Sequence, residues 1–206
     1  MTLSASALAA QEVTVAALGD SLTAGYGLPQ RQGFVARLQD WLDERGAEVT
    51  VVNAGVSGDT TAGGLARVGW TLADDVDALI VALGGNDFLR GVDPAVSRAN
   101  LDGILEAAGA EGVPVLLVGI RASGQYGPDY QRGFDAMYVE LAAEHGALLE
   151  RDWFEGLRPA DGDLAAALGR TMQADGIHPN AAGVDLIVER LGPRVLELAE
   201  RARGRG

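Results

Sequence analysis

The chain has 206 residues, enough for one enzyme-sized domain, and its 48% hydrophobic and 22% charged residues exclude intrinsic disorder as a global description. Asp and Glu number 29 against 16 basic residues, a formal charge of -13 that repels nucleic acid and other polyanions. Every basic residue is arginine, cysteine is absent, and His145 and His178 are the two histidines, so P-loop, Schiff-base, thiol and Cys-rich zinc chemistry are excluded. No cofactor or metal is expected, although a carboxylate-bound magnesium or calcium stays open on composition alone.

Residues 1–11 begin MTLSASALAA, small and apolar with an Ala-Leu-Ala stretch at Ala7 to Ala9. They read as the end of a secretory signal without its basic segment, which implies a periplasmic or secreted protein; a frayed N-terminus of a cytoplasmic one is the alternative. Val13 to Leu18, Glu48 to Asn53, Ala78 to Leu83 and Val113 to Ile120 are short, nearly continuous apolar runs rich in β-branched residues. Such runs predict strands buried on both faces of a parallel sheet, and none is long enough to span a membrane. Between them, Phe34, Leu38, Trp41 and Leu42 recur at helical spacing with Gly46 as a stop, and similar patterns run over about 94–110, 130–145 and 182–201. Strand and helix in alternation give an α/β doubly wound fold within a single domain, 12–202. Gly156 to Gly169 reads as a polar loop, and 203–206 as a disordered tail.

Ligands of open α/β sheets sit beyond the carboxyl ends of the strands. There the sequence places Gly19-Asp20-Ser21-Leu22, Asn53-Ala54-Gly55-Val56-Ser57-Gly58-Asp59-Thr60 and Gly84-Gly85-Asn86-Asp87, and late in the chain Asp175-Gly176-Ile177-His178-Pro179-Asn180. Taken singly, each block also reads as a turn or a helix N-cap, and His178 as a surface histidine. Together they hold the parts of one machine. A serine hydroxyl needs a base, the base needs an acceptor to fix its tautomer, and a developing oxyanion needs donors. Ser21 directly follows the first strand, His178 has Asp175 three residues before it, Gly58 offers a backbone N–H and Asn86 a side-chain amide. His145, just before Gly146 at the end of a helix, reads as a structural cation near C-terminal carbonyls.

These four blocks, from Ala17 through Asn180, resemble the SGNH or GDSL-type serine hydrolases, and within them the bacterial thioesterase I, lysophospholipase and arylesterase group. The resemblance implies a flavodoxin-like α/β/α fold with a five-stranded parallel sheet ordered 2-1-3-4-5. It implies Ser21 as nucleophile, His178 as base, Asp175 as its orienter, and an oxyanion hole of the Ser21 and Gly58 N–H groups with the Asn86 side chain. It also implies hydrolysis of small-molecule acyl esters and thioesters, with a monomer compatible with the pattern. Phe88, Leu89, Ile120 and Tyr126 follow predicted strands and are expected to line an acyl groove or to pack beneath their own loops. Two other readings remain open: a carbohydrate O-acetylesterase on the same scaffold, and a non-catalytic binding module of flavodoxin-like fold. The latter is weakened because Gly25-Tyr26-Gly27 lacks the continuation of a dinucleotide fingerprint and no member of the triad is lost. The G-x-S-x-G elbow of α/β-hydrolases is absent.

Overall fold

The computed structural model describes residues 12–72, 75–159 and 163–205. The expected signal remnant and the last residue of the tail therefore lie outside the described residues. Five parallel strands, β1 (Val13–Gly19), β2 (Val49–Gly55), β3 (Ala78–Ala82), β4 (Val115–Val118) and β5 (Leu148–Glu150), form one sheet in the order β2-β1-β3-β4-β5. The helices are α1 (Ser21–Ala24), α2 (Phe34–Asp43), α3 (Thr61–Thr71), α4 (Gly85–Leu89), α5 (Pro94–Ala110), α6 (Pro128–His145), α7 (Leu164–Thr171) and α8 (Ala181–Arg203).

Alternation along each strand sends successive side chains to opposite faces, and each face builds its own core. Val13, Val15, Ile80 and Leu116 meet Phe34, Leu38 and Leu42 of α2 and Ile187, Leu191 and Val195 of α8. Leu18, Leu79, Val81 and Leu117 meet Val68 of α3, Leu101 and Ile104 of α5, and Phe134 and Leu141 of α6. The periodic helix expected around Phe34 buries Phe34, Leu38, Trp41 and Leu42 and ends before Gly46, whose φ of 63° suits glycine.

Three expectations need correction. The second strand is not buried on both faces: it is an edge of the sheet, and Thr50 and Val52 are exposed. The stretch 156–169 is not all loop. Asp163 accepts hydrogen bonds from the Ala165 and Ala166 N–H groups and starts α7, a helix of mostly small residues that Gly169 helps to disguise in the sequence. The tail is ordered at Arg203, which ends α8 with its guanidinium donating to Glu200 and to the Glu48 carbonyl.

Gly192 lets α8 lie against Trp41: a Cβ there would fall 2.6 Å from the indole ring, which is itself buried. Gly69 of α3 has nothing within 4 Å of the same position. We expect Gly192→Ala to lower unfolding free energy by about 1–3 kcal/mol through overpacking. Gly69→Ala should instead raise it by roughly 0.5–1 kcal/mol, because it removes backbone freedom from an open helical site. Urea denaturation of both variants checks the opposite signs; a neutral Gly192→Ala would show that the indole can move aside.

Candidate active site

The first strand ends at Gly19, where a side chain would fall 2.0 Å from the Thr23 hydroxyl, so only glycine lets the chain turn directly into α1. Asp20 caps that helix, its Oδ1 accepting from the Leu22 N–H at 2.9 Å, and this sets Ser21 on the first helical residue. Arg67 of α3 fastens the neighbouring strand ends, donating to the Gly19 and Ala54 carbonyls at 2.9 and 2.7 Å and pairing with Asp59 at 2.7 Å.

The partner of Ser21 arrives from 157 residues away: His178 Nε2 lies 2.9 Å from Ser21 Oγ, and His178 Nδ1 lies 2.6 Å from Asp175 Oδ2. The other Asp175 oxygen accepts the Ile177 and His178 N–H groups at 2.9 and 3.0 Å, so a tight turn holds carboxylate and ring in one unit. The hydrogen bond from the His178 ring and the two backbone donors hold the Asp175 carboxyl down at about 2. A neutral imidazole that gives its Nδ1 proton to that anion presents Nε2 as an acceptor to the serine hydroxyl. The turn is anchored by a Met172–Pro179 bridge, by Gln173 Nε2 donating to the Tyr26 and Pro179 carbonyls at 2.9 Å each, and by Asn180, which caps α8. The Tyr26 ring stands 4.7 Å from that of His178.

Gly58, at a φ of 86°, and Asn86, in the first turn of α4, flank Ser21 in one cleft of about 650 Å³. Asn86 Nδ2 donates to the Asp59 carbonyl at 2.9 Å and to Asp20 Oδ2 at a longer 3.3 Å. Its helix is moored by the buried Asp87, which accepts from the Thr61 N–H at 2.8 Å and from the Thr61 and Ser97 hydroxyls at 2.5 and 3.0 Å. The mooring role of Asp87 within its block, and any role for Arg67 and Gln173, were not expected from the sequence, because they rest on contacts between distant segments.

Phe88, Leu89 and Ile120 line the cleft. Tyr126 does not: it packs edge-on to Phe88 with ring centres 5.9 Å apart and its hydroxyl donates to the Leu89 carbonyl. A second set of apolar residues, absent from the sequence reading, also faces the cleft, including Leu157, Leu164, Leu168 and Met172. His145 ends α6 and meets Asp102 of α5 at 2.6 Å, a contact between helices away from the cleft lining.

The GDSL-like lipase/acylhydrolase family matches residues 17–186. Over 186 residues the chain is 42% identical to esterase TesA of Pseudomonas aeruginosa, covering 90% of this chain and 89% of that protein. It is 36% identical over 188 residues to an arylesterase of Vibrio mimicus, covering 91% and 89%. The crystal structure of TesA superposes with a TM-score of 0.79 at 41% identity, over 90% of this chain and 99% of that one.

Asp20 is 3% exposed, and that burial, more than any neighbour, lifts its carboxyl from 3.8 to about 6 against the pull of the Leu22 N–H and the His178 charge. Between those pH values the native protein binds the proton more tightly than the unfolded chain, so stability falls as pH rises through the window. At about 1.4 kcal/mol per pH unit, the loss attributable to Asp20 is about 3 kcal/mol. Asp175 works the other way, its contribution present above 3.8 and lost as pH falls toward 2, outside the Asp20 window. We therefore expect unfolding free energies of wild type and Asp20→Asn to diverge between pH 4 and 7, wild type declining more steeply. Parallel profiles would remove the buried charge from the account. With the Ser21–His178–Asp175 geometry, the family match and these relatives in agreement, the chain belongs to the GDSL-like lipase/acylhydrolase family.

Proposed function

We propose that the protein is a serine ester hydrolase that cleaves small-molecule acyl esters, and by the same attack on a carbonyl carbon thioesters, through an acyl-enzyme on Ser21. The observation that carries this is the continuous relay from Ser21 Oγ through both ring nitrogens of His178 to Asp175, with contacts of 2.9 and 2.6 Å. Ser21 Oγ attacks, His178 Nε2 takes its proton, and Asp175 holds the imidazole in the competent tautomer and balances the imidazolium. Asp20, largely ionised at neutral pH, adds a second attraction for that imidazolium. The carbonyl oxygen becomes an oxyanion, received by the N–H groups of Ser21 and Gly58 and by Asn86. Asn86 Nδ2 lies 2.9 Å from the Asp59 carbonyl but 3.3 Å from Asp20 Oδ2, so the N–H on the Asp20 side is the more loosely held and the one a substrate oxygen can share.

The predominantly apolar wall of the cleft favours acyl chains over sugar rings and weighs against a carbohydrate O-acetylesterase. Among the described residues no helix is long and apolar enough to cross a membrane. A periplasmic or secreted location is supported by the small-residue stretch at the N-terminus.

Ser21→Ala should retain the fold and lose on the order of a million-fold in kcat, since no other group forms the acyl intermediate. Asp175→Asn should cost up to roughly ten-thousand-fold by disturbing the His178 tautomer. Asn86→Ala should lower kcat about a hundred- to a thousand-fold with little change in KM, because an oxyanion donor acts on the transition state. Steady-state hydrolysis of nitrophenyl esters checks all three; an active Ser21→Ala, or an Asn86 effect confined to KM, contradicts the assignment. Cell fractionation checks the location, with recovery in the periplasm or medium expected and recovery in the cytosol alone contradicting it.

A further inference from the structure

The apolar lining of the cleft divides into two sets, one lobe each, according to which of the two cores its residues pack on. Phe88 packs onto the core between the sheet and α5 and α6, whereas Leu22, Phe154 and Met172 pack onto the core beneath α8. Ile120 touches both cores and marks the divide. On the second side, Leu164 and Leu168 lie one helical turn apart on α7, and with Ile177 they face the cleft while 42%, 36% and 44% exposed. Their exposed apolar surface is what a bound apolar group would cover.

Proton delivery tells the lobes apart. In acylation the Ser21 Oγ–carbonyl bond forms and the bond from carbonyl carbon to leaving oxygen breaks; the serine proton, held on His178 Nε2, passes to that leaving oxygen. The leaving oxygen must therefore stand at Nε2. His178 belongs to the turn that continues from α7 and carries Met172 and Ile177, whereas the oxyanion donor Asn86 continues directly into Phe88 and Leu89. Resting on the serine hydrolase reading, we infer that the lobe formed by Leu157, Leu164, Leu168, Met172 and Ile177 is a leaving-group subsite for the apolar alkyl or aryl part of the alcohol. The acyl chain occupies the separate lobe at Phe88, Leu89 and Ile120. Deacylation reverses the proton path: a water gives its proton to Nε2 and its oxygen to the carbonyl carbon, and the Ser21 Oγ–carbon bond breaks as Oγ regains the proton.

The test uses the full chain and two ester series: ethyl, butyl and hexyl butyrate, whose alcohols have nearly equal acidity, and ethyl acetate, butyrate and hexanoate. Wild-type kcat/KM should rise along the alcohol series by up to roughly fourfold for each methylene buried. Leu168→Ala should lower the hexyl-to-ethyl ratio at least about fivefold and leave the slope of the acyl series in place. It should also leave the rate at which a butyryl-enzyme hydrolyses unchanged, because that intermediate has already lost its alcohol. Phe88→Ala should do the reverse, flattening the acyl series. Leu164→Ala carries the same expectation as Leu168→Ala should the latter fail to fold. A flat alcohol series in wild type, or a Leu168→Ala variant whose acyl slope or deacylation rate changes, overturns the subsite. Hydrolysis without any butyryl-enzyme on Ser21 overturns the serine reading itself, and the subsite with it.

Discussion

A single contact, His178 Nε2 to Ser21 Oγ at 2.9 Å, joins two residues that the chain separates by 157 positions. A hydrogen bond of that kind fades within a few tenths of an ångström, so both ends must be held by structure that cannot drift. At the serine end the restraint is the sheet itself. The buried first strand, the tight turn at Gly19, the Asp20 cap and the Arg67 clamp on two strand carbonyls leave Ser21 little freedom. At the histidine end no strand is available. There a short turn is braced by Asp175, the Gln173 amide and the capped start of α8.

Two aspartates serve this contact from opposite environments. Asp175 is partly exposed, engaged by three donors, and stays ionised down to about 2. Asp20 is buried, and the loss of solvation raises it to about 6. Environments that push like groups apart in this way are typical of sites that move protons, and here the buried member also touches the amide proposed to face the oxyanion. The stability lost by burying a charge at Asp20 is the local cost of placing negative potential close to an imidazole that, in the proposed mechanism, becomes cationic.

Much of this was legible in the sequence because the fold announces itself by local pattern. Four strands are continuous apolar runs, and the helix at Phe34 shows a clean apolar stripe, so sheet, layers and strand order followed from periodicity and resemblance together. The rest was hidden for physical reasons. β5 is three residues long and ends in the charged Glu150, too short to show a period. α3 carries Gly63, Gly64 and Gly69, Gly64 packing so close to the Leu83 side chain that a Cβ there would stand 2.2 Å from its methyl end, and no helical propensity betrays the helix. α7 is hidden by its small residues and terminal glycine, and with it went the second lobe of the cleft. That Ser21, His178 and Asp175 could meet was visible because chemistry restricts which residue types can form such a relay, and the structure brings the three side chains together. Phe88 and Tyr126 looked alike in the sequence, and only packing separates the ring that faces the cleft from the ring behind it.

The claim on which the account stands is that Ser21 is covalently acylated during turnover. The most direct measurement is acid quenching of the wild-type protein in the presteady state with a butyryl ester, followed by intact-mass and peptide mass spectrometry. A transient butyryl adduct that maps to Ser21 and decays at the rate of deacylation is expected. Turnover with no adduct, or an adduct on Ser57 or Ser123 with Ser21 unmodified, would contradict it.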